Sequence, residues 1–130
     1  CTCCVIKLEN FISTIILKRK LDHGKTYFVE PLKDKKIEKI LVSIAKKIDL
    51  QGSINVQLKR SNRRAAIFEI NPRISGTVMM RHMLGFKDLI WWIEHLLYKK
   101  LPRKINIKNK KIFKSFQESF VLTLKSRRLK

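Results

Sequence analysis

Acidic residues are scarce in this chain of 130 residues, because 10 Asp and Glu stand against 30 Lys and Arg. The formal net charge of +20 indicates a polyanionic partner such as a nucleic acid, an anionic membrane or a nucleotide. The basic residues are spread along a Lys-rich and Ile-rich sequence, which fits a compositional bias as well as a binding surface. Few aromatic side chains for base stacking lie among them. A basic nucleic-acid-binding module is therefore kept as an alternative function, and specific nucleic-acid recognition is not expected.

The sequence also lacks the long apolar runs that membrane insertion and export need. No run reaches the ~18 residues of a membrane span. Lys7 and Glu9 interrupt the apolar start, so no secretory signal peptide is visible. We expect a cytoplasmic protein without a membrane partner. The first residue is Cys1 and not Met, which suggests a piece of a longer chain.

Cysteine is confined to Cys1, Cys3 and Cys4. A disulfide framework needs cysteines spread along the chain, and a zinc site needs about four ligands, so neither is supported. Cys1 and Cys3 are expected on one face of a strand and Cys4 on the other. The three histidines are isolated from one another, and no Ser/His/Asp or Cys/His arrangement for nucleophilic catalysis is present.

Hydrophobic periodicity predicts an α+β fold, a mostly antiparallel sheet with helices packed on one face. The helices are predicted over residues 33–48, 77–84 and 88–99, the second stopped by Gly85 and the third capped by Asp88. The apolar stripe of the first helix is predicted to comprise Ile37, Ile40, Leu41, Ile44 and Ile48, and the inward face of the third Leu89, Trp92, Ile93, Leu96 and Leu97. Strands are predicted over residues 1–8, 11–18, 27–29, 53–60, 65–71 and 112–122. Residues 21–26 and 102–111 are predicted loops, and residues 123–130 a basic tail.

Three oxygen-bearing side chains are candidates for a metal site. Glu69 and Asn71 are two residues apart on a strand and therefore share a face, and Gln57 lies on the preceding strand. A turn with an odd number of residues, centred on Arg63, places Gln57 opposite Glu69, whereas an even turn breaks this parity. One carboxylate with amide oxygens suits Mg²⁺, which completes its shell with phosphate oxygens and water.

Anion-binding features follow directly after this strand. Arg73 offers a planar cationic fork for phosphate or carboxylate, and Ser75 and Gly76 offer backbone N–H groups close to a helix start. Two structural explanations stand beside these interpretations. Glu69 and the following Asn-Pro are also typical of a plain strand exit, and Arg73 suits a simple salt bridge to Glu69.

Two runs together resemble a known family. Gly52-Ser-Ile-Asn-Val-Gln57 and Glu69-Ile-Asn-Pro-Arg73 are similar to the C-terminal part of the ATP-grasp fold. The resemblance is greatest to the branch of the carbamoyl-phosphate synthase large subunit and related carboxylate–amine ligases. It extends over residues 1–122 as a partial ATP-grasp domain, with Gly85-Phe86 resembling the pair that precedes a core helix.

The resemblance implies a set of roles. Mg²⁺, with Mn²⁺ as an alternative, would be held by Gln57, Glu69 and Asn71. Arg73 would be the catalytic residue that faces the transferred phosphoryl group.

The segment from residue 19 to residue 26 resembles the family's basic, glycine-containing segment over the triphosphate. It implies that Arg19, Lys20 and His23 contact ATP.

The implied function is that of an ADP-forming ligase. ATP phosphorylates a carboxylate substrate, and an amine or other nucleophile then attacks the acyl-phosphate. The family's lid and preceding domain have no counterpart here, so the missing N-terminal portion is the implied partner. The chain alone is predicted not to turn over ATP. A structural remnant without function remains a second alternative.

Overall fold

The computed structural model describes residues 1–61 and 64–115. Within these ranges the chain forms one six-stranded sheet and three helices. The helices are α1 (Lys35–Lys47), α2 (Val78–Met83) and α3 (Asp88–Tyr98). The strands are β1 (Thr2–Leu8), β2 (Phe11–Asp22), β3 (Lys25–Pro31), β4 (Gly52–Arg60), β5 (Ala65–Asn71) and β6 (Ile112–Phe113).

Neighbouring strands are antiparallel throughout the sheet, in the order β5-β4-β1-β2-β3-β6. The first hairpin forms as the sequence predicts, with Leu8 paired to Phe11 across a two-residue turn. Glu9 in that turn has φ 54°, the left-handed conformation that tight hairpin turns need. The predicted α+β class with an antiparallel sheet is confirmed.

Both faces of β1 are buried, because its side chains alternate between two hydrophobic clusters. Cys3 and Val5 face α1, whereas Cys4, Ile6 and Leu8 face α2 and α3. The predicted split of the cysteines between the two faces of a strand is therefore correct. The expectation that the helices pack on one face is wrong. An antiparallel sheet whose central strand is apolar on both sides needs cover on both sides.

Helix α1 covers the first face with the residues that the periodicity predicts at its centre. Ile37 and Leu41 are buried, and Asp34 caps the helix by accepting hydrogen bonds from Lys36 N (3.0 Å) and Ile37 N (3.2 Å). The Ile37 N–H bond, with the other contacts of this cap, holds the pKa of Asp34 below its usual value. Ile48, predicted as the last residue of the apolar stripe, is instead 55% exposed just beyond the helix.

The orientation of α3 differs from the prediction. Leu96 and Leu97 are predicted to face inward, yet both are more than 60% exposed. The buried residues of α3 are instead Asp88, Trp91 and His95. Because α3 carries apolar residues around most of its circumference, its hydrophobic pattern does not select one face. Asp88 is also not the cap, since Lys87 precedes the helix and Asp88 is buried in its first turn.

Two boundaries of the sheet also change. β2 continues to Asp22 and β3 begins at Lys25, so the predicted loop over residues 21–26 is mostly the end of a long hairpin. His23 and Gly24 form its tip with positive φ values of 45° and 76°. Of the predicted strand over residues 112–122, β6 accounts for the first two residues. Residues 116–122 and the predicted tail over 123–130 lie outside the described residues.

A search of the described ranges finds no helix with the length and hydropathy to cross a membrane.

Replacing Gly85 should destabilise the chain more than replacing Gly24, although both adopt positive φ (98° and 76°). A Cβ at Gly85 would lie 2.3 Å from the backbone oxygen of Asn106, whereas a Cβ at Gly24 has open space. We expect Gly24→Ala to lower the free energy of unfolding by about 1 kcal/mol through backbone strain alone. Gly85→Ala should cost about 1–3 kcal/mol more, because the backbone of the 101–111 segment must move away. Urea unfolding measures both, and equal losses would contradict the close approach.

Candidate functional site

The register of β4 and β5 brings the predicted metal ligands together. Gln57 pairs with Glu69, and Asn55 pairs with Asn71, so these polar side chains share one face of the sheet. Thr2 of β1 pairs with Gln57 on its other side and completes the row. This face is the one that carries α2 and α3 further along the strands.

The predicted pairing of Gln57 with Glu69 is present, but the predicted turn is not. Arg60 pairs with Ala65, which leaves an even loop of four residues. A register shift restores the parity, because Leu58 pairs with Ile67 and the next pair is Gln57 with Glu69. Phe68 is the extra residue, a β-bulge with 62% of its surface exposed.

Hydrogen bonds tie the polar row together. Asn71 Nδ2 donates to Glu69 Oε1 at 2.8 Å, and Arg19 Nη2 donates to Gln57 Oε1. Glu69 Oε2 and Asn71 Oδ1 have no hydrogen-bond partner among the described residues. These oxygens, with the amide oxygen of Gln57, form a hard-oxygen donor set that fits Mg²⁺. Arg19 would have to release Gln57 for that amide to act as a ligand.

Glu69 is the single carboxylate of this donor set, and no group of three His, Cys, Asp or Glu with metal-site geometry occurs in the part of the chain that the structure describes. A divalent cation here would therefore take most of its charge compensation from phosphate oxygens.

A polar cavity of about 270 Å³ opens beside Gln57. Its described lining includes the cations Arg19, Lys25, Arg73 and Lys114 and no acidic side chain. Much of the remaining wall is formed by hydroxyl-bearing residues and glycines, namely Thr2, Thr26, Ser75, Thr77, Gly24 and Gly76. Cations, hydroxyls and exposed backbone N–H groups are the donors that bind phosphate or carboxylate.

The structure brings some of the predicted residues to this cavity and leaves others away from it. Arg19, Gln57 and Arg73 line the cavity, and Arg73 Nη1 donates only to Ile74 O at 3.4 Å among the described residues. Glu69 and Asn71 lie on the next strand, beside the cavity wall.

Two of the residues expected to contact ATP point elsewhere. Lys20 Nζ lies 5.5 Å from the centre of the Phe28 ring and does not line the cavity. The side chain of His23 is 94% exposed at the hairpin tip, with Nδ1 at 2.9 Å from Asp22. Lys25 and Thr26 occupy the cavity wall instead, because the long hairpin turns this part of the chain over the polar row.

Sequence reasoning missed a buried ion pair behind the cavity. Arg81 and Asp88 have side chains 2% and 1% exposed, and they are joined by Nη2–Oδ2 and Nε–Oδ1 hydrogen bonds of 2.8 Å and 3.2 Å. The remaining terminal nitrogen of Arg81 donates to the hydroxyls of Ser75 (2.6 Å) and Thr77 (3.0 Å). A signal existed in the sequence: the opposite charges Arg81 and Asp88 lie on either side of the apolar run 83–86.

The acid of this pair also fixes the sheet. Asp88 Oδ2 accepts hydrogen bonds from Ser53 Oγ at 2.7 Å and from Cys4 Sγ at 3.3 Å. Burial raises the pKa of the Cys4 thiol, so it stays protonated and acts as a donor. Burial likewise raises the pKa of Cys3 to about 12, which makes neither thiol a nucleophile at neutral pH.

A protein-family model matches residues 3–117, and its description reads "ATP-grasp in the biosynthetic pathway with Ter operon". The chain belongs to this ATP-grasp family. The ATP-grasp resemblance that the Gln57 and Glu69-to-Arg73 runs carry is thereby confirmed at the level of the superfamily. No curated protein matches the chain.

The ATP-grasp chain is also similar to a solved structure, the ATPase subunit of phosphoribosylaminoimidazole carboxylase from Aquifex aeolicus. The TM-score is 0.65 at 15% sequence identity, and the match covers 85% of this chain. It covers 34% of the Aquifex chain, so the ATP-grasp chain spans about a third of that protein's length. At this identity the likeness shows the fold.

Breaking the buried ion pair should destabilise the chain strongly. Asp88→Asn removes the charge that Arg81 needs, and an uncompensated buried guanidinium costs about 3–5 kcal/mol. Asp49→Asn is the matched control, because its partner Lys7 lies 2.8 Å away at a site where Asp49 is 84% exposed. We expect a large fall in the unfolding midpoint for Asp88→Asn and a change near experimental error for Asp49→Asn. Equal effects would show that the buried pair carries no special weight.

Proposed function

We propose that this ATP-grasp chain supplies the phosphate-binding and metal-binding part of an ADP-forming ligase. The observation that carries the proposal is the pairing of Gln57 with Glu69 beside a cavity walled by cations. The carboxylate and amides suit a divalent cation, and the adjacent cations suit the phosphates that share it. The family membership supports ATP as the nucleotide.

In the proposed reaction each residue acts by binding and orientation. Gln57, Glu69 and Asn71 would hold Mg²⁺, which would supply charge neutralisation at the phosphates. Arg19 and Lys25 hold the phosphate chain in place. Arg73, unpaired with any acid among the described residues, faces the phosphoryl group that moves to the substrate carboxylate and stabilises its developing charge. No side-chain nucleophile is required.

The finer parts of this assignment extend beyond the family match. The Glu69-to-Arg73 run supports a carboxylate substrate, an attacking amine and the branch of the carbamoyl-phosphate synthase large subunit. Free thiols in the interior support a cytoplasmic location. Mn²⁺ would suit the same oxygen ligands as Mg²⁺. The ATP contacts of Lys20 and His23 stay part of the proposal, although neither residue lines the cavity.

Turnover is proposed for a longer protein. Because the chain spans about a third of the Aquifex ATPase subunit, the lid and preceding domain of an ATP-grasp enzyme would be its partners. The chain by itself is expected to bind nucleotide weakly and not to hydrolyse it. A remnant that keeps the fold but never acts in an enzyme would show no metal-dependent binding at this site.

The metal assignment predicts Mg²⁺-dependent binding of ADP that requires Glu69. We expect amide chemical-shift changes around Gln57, Glu69 and Thr26 when Mg-ADP is added to the ¹⁵N-labelled chain, and much smaller ones with EDTA. Glu69→Gln removes the one carboxylate of the site and should weaken Mg-ADP binding by roughly tenfold or more.

Glu38→Gln is the control for this experiment, because Glu38 is exposed on α1 on the opposite face of the sheet. It should bind Mg-ADP like the unaltered chain. Binding that is independent of Mg²⁺, or that survives Glu69→Gln unchanged, would remove the metal site.

Arg73→Ala should act on turnover more than on nucleotide affinity in the complete ligase that contains this chain. We expect kcat to fall by about 10²–10³ with a small change in the KM for ATP, because the guanidinium acts on charge that develops during transfer. Arg103→Ala, at an exposed position away from the cavity, is the control. A matching loss in affinity and turnover would instead indicate general charge attraction.

A further inference from the structure

The hydroxyls of Ser75 and Thr77 hold an unusual place in the cavity wall. Both residues line the cavity, yet they are only 8% and 4% exposed. Thr77 occupies the position before α2 where a Thr side chain ordinarily caps the helix, and here it makes no capping hydrogen bond. Its hydroxyl instead contacts the Ser75 hydroxyl and the Arg81 guanidinium.

The hydrogen bonds around the Thr77 hydroxyl determine whether a donor or an acceptor remains unused there. Arg81 Nη1, which can only donate, supplies a hydrogen bond to each of the two hydroxyl oxygens. Ser75 Oγ also accepts a long bond of 3.4 Å from Thr77 N, which fills its two lone pairs. In the 2.8 Å contact between the hydroxyls, Ser75 is therefore the donor and Thr77 the acceptor.

Thr77 Oγ1 then has both lone pairs occupied and its own hydrogen without an acceptor among the described residues. If the contact ran the other way, the spare hydrogen would belong to Ser75, two residues along the same wall. With Ser75 as the donor, the pair presents one hydrogen-bond donor and no free acceptor. The reverse contact would direct three hydrogen bonds at the two lone pairs of Ser75 Oγ and leave a lone pair of Thr77 Oγ1 unused, which favours Ser75 as the donor. A ligand that satisfies it must bring an acceptor.

The charges around the cavity restrict that ligand further. Arg19, Lys25 and Arg73 stand in the same wall, and no acidic side chain does so among the lining residues. An oxyanion, either phosphate or carboxylate, is an acceptor-only ligand with the complementary charge.

We propose that the Thr77 hydroxyl is a ligand-contacting donor for an oxyanion in this cavity, and that Arg81 and Asp88 are positioning residues that force it to donate. The inference deepens the proposed function and rests on it for the identity of the cavity. Asp88 holds the Arg81 guanidinium in a bidentate pair, and the guanidinium in turn occupies the hydroxyl lone pairs. This preorganises the donor before the ligand arrives.

Binding of pyrophosphate and of acetate to this chain, both in EDTA, tests the proposal. NMR titration of the unaltered chain should show pyrophosphate binding near Thr77. Thr77→Val, which keeps the shape and removes the hydroxyl, should weaken it by roughly tenfold or more, as expected for a hydrogen bond to a charged group. Thr77→Ser should restore binding to within about twofold. Thr14→Val makes the same chemical change on β2 outside this cavity and should have no effect.

The positioning role has a separate readout. Arg81→Lys keeps the charge but loses the bidentate guanidinium. It should therefore weaken pyrophosphate binding in the chain with Thr77 and cause little further loss of binding in the Thr77→Val variant. A purely structural role would weaken both equally. If Arg81→Lys fails to fold, the comparison of Thr77→Val with Thr77→Ser decides the proposal alone.

The outcomes separate this inference from the proposed function. Unchanged pyrophosphate and acetate binding in Thr77→Val, or no anion binding by the unaltered chain, overturns the inference even where Mg-ADP binding depends on Glu69. Thr77-dependent pyrophosphate binding without any Mg-ADP binding supports the inference and removes the ligase proposal. A Thr77 effect confined to acetate supports the inference and assigns the oxyanion to a carboxylate substrate.

Discussion

The double burial of β1 is the constraint on which the rest of the structure depends. Val5 and Ile6 are fully buried although they point in opposite directions, so each face of the sheet must be covered by its own helical layer. On the side of α2 and α3, the side chains of β1 change from apolar to polar along the strand, from Leu8 and Ile6 to Cys4 and finally Thr2. The polar row that includes Gln57 and Glu69 is thus the hydrophilic end of a face that is apolar elsewhere.

Much of this arrangement could be predicted from alternation alone. Apolar and polar residues alternate through β4, which places Asn55 and Gln57 on one face, and two-residue spacing does the same for Glu69 and Asn71. These period-2 patterns depend only on neighbouring residues, and for that reason they predict the face of each side chain correctly. The cluster of amide and carboxylate groups follows from them, and the α1 stripe around Ile37 follows from the equally local 3.6-residue period.

The features that could not be predicted depend on contacts between distant parts of the chain. The outward and inward faces of α3 are chosen by Asp88, whose burial requires Arg81, and not by a hydrophobic stripe that surrounds the helix. Lys25 and Thr26 reach the cavity because the β2–β3 hairpin extends further than its composition indicates. The position of Arg19 next to Gln57 depends on which strand pairs with β1, and strand order is not encoded in either segment alone.

The Arg81–Asp88 pair joins the covering helices to the functional face. Such pairs contribute little net stability compared with apolar residues of similar size, because both charges lose their hydration. Such pairs mainly restrict the geometry of the groups they join, since a bidentate set of hydrogen bonds tolerates few alternative arrangements. Most of the other Lys and Arg residues in the part of the chain that the structure describes are exposed. At this location a single positive charge instead holds the wall of the cavity in one arrangement.

The bulge at Phe68 has an evolutionary consequence. Loop length and bulge together determine whether Gln57 meets Glu69, so neither can change alone without turning one strand's side chains to the opposite face. A single-residue deletion in the loop would be harmless only if accompanied by a compensating insertion or deletion within β5. Homologous sequences should therefore carry paired length changes here, and an alignment that places every gap at the loop tip would match core residues of one protein with ligand-facing residues of another.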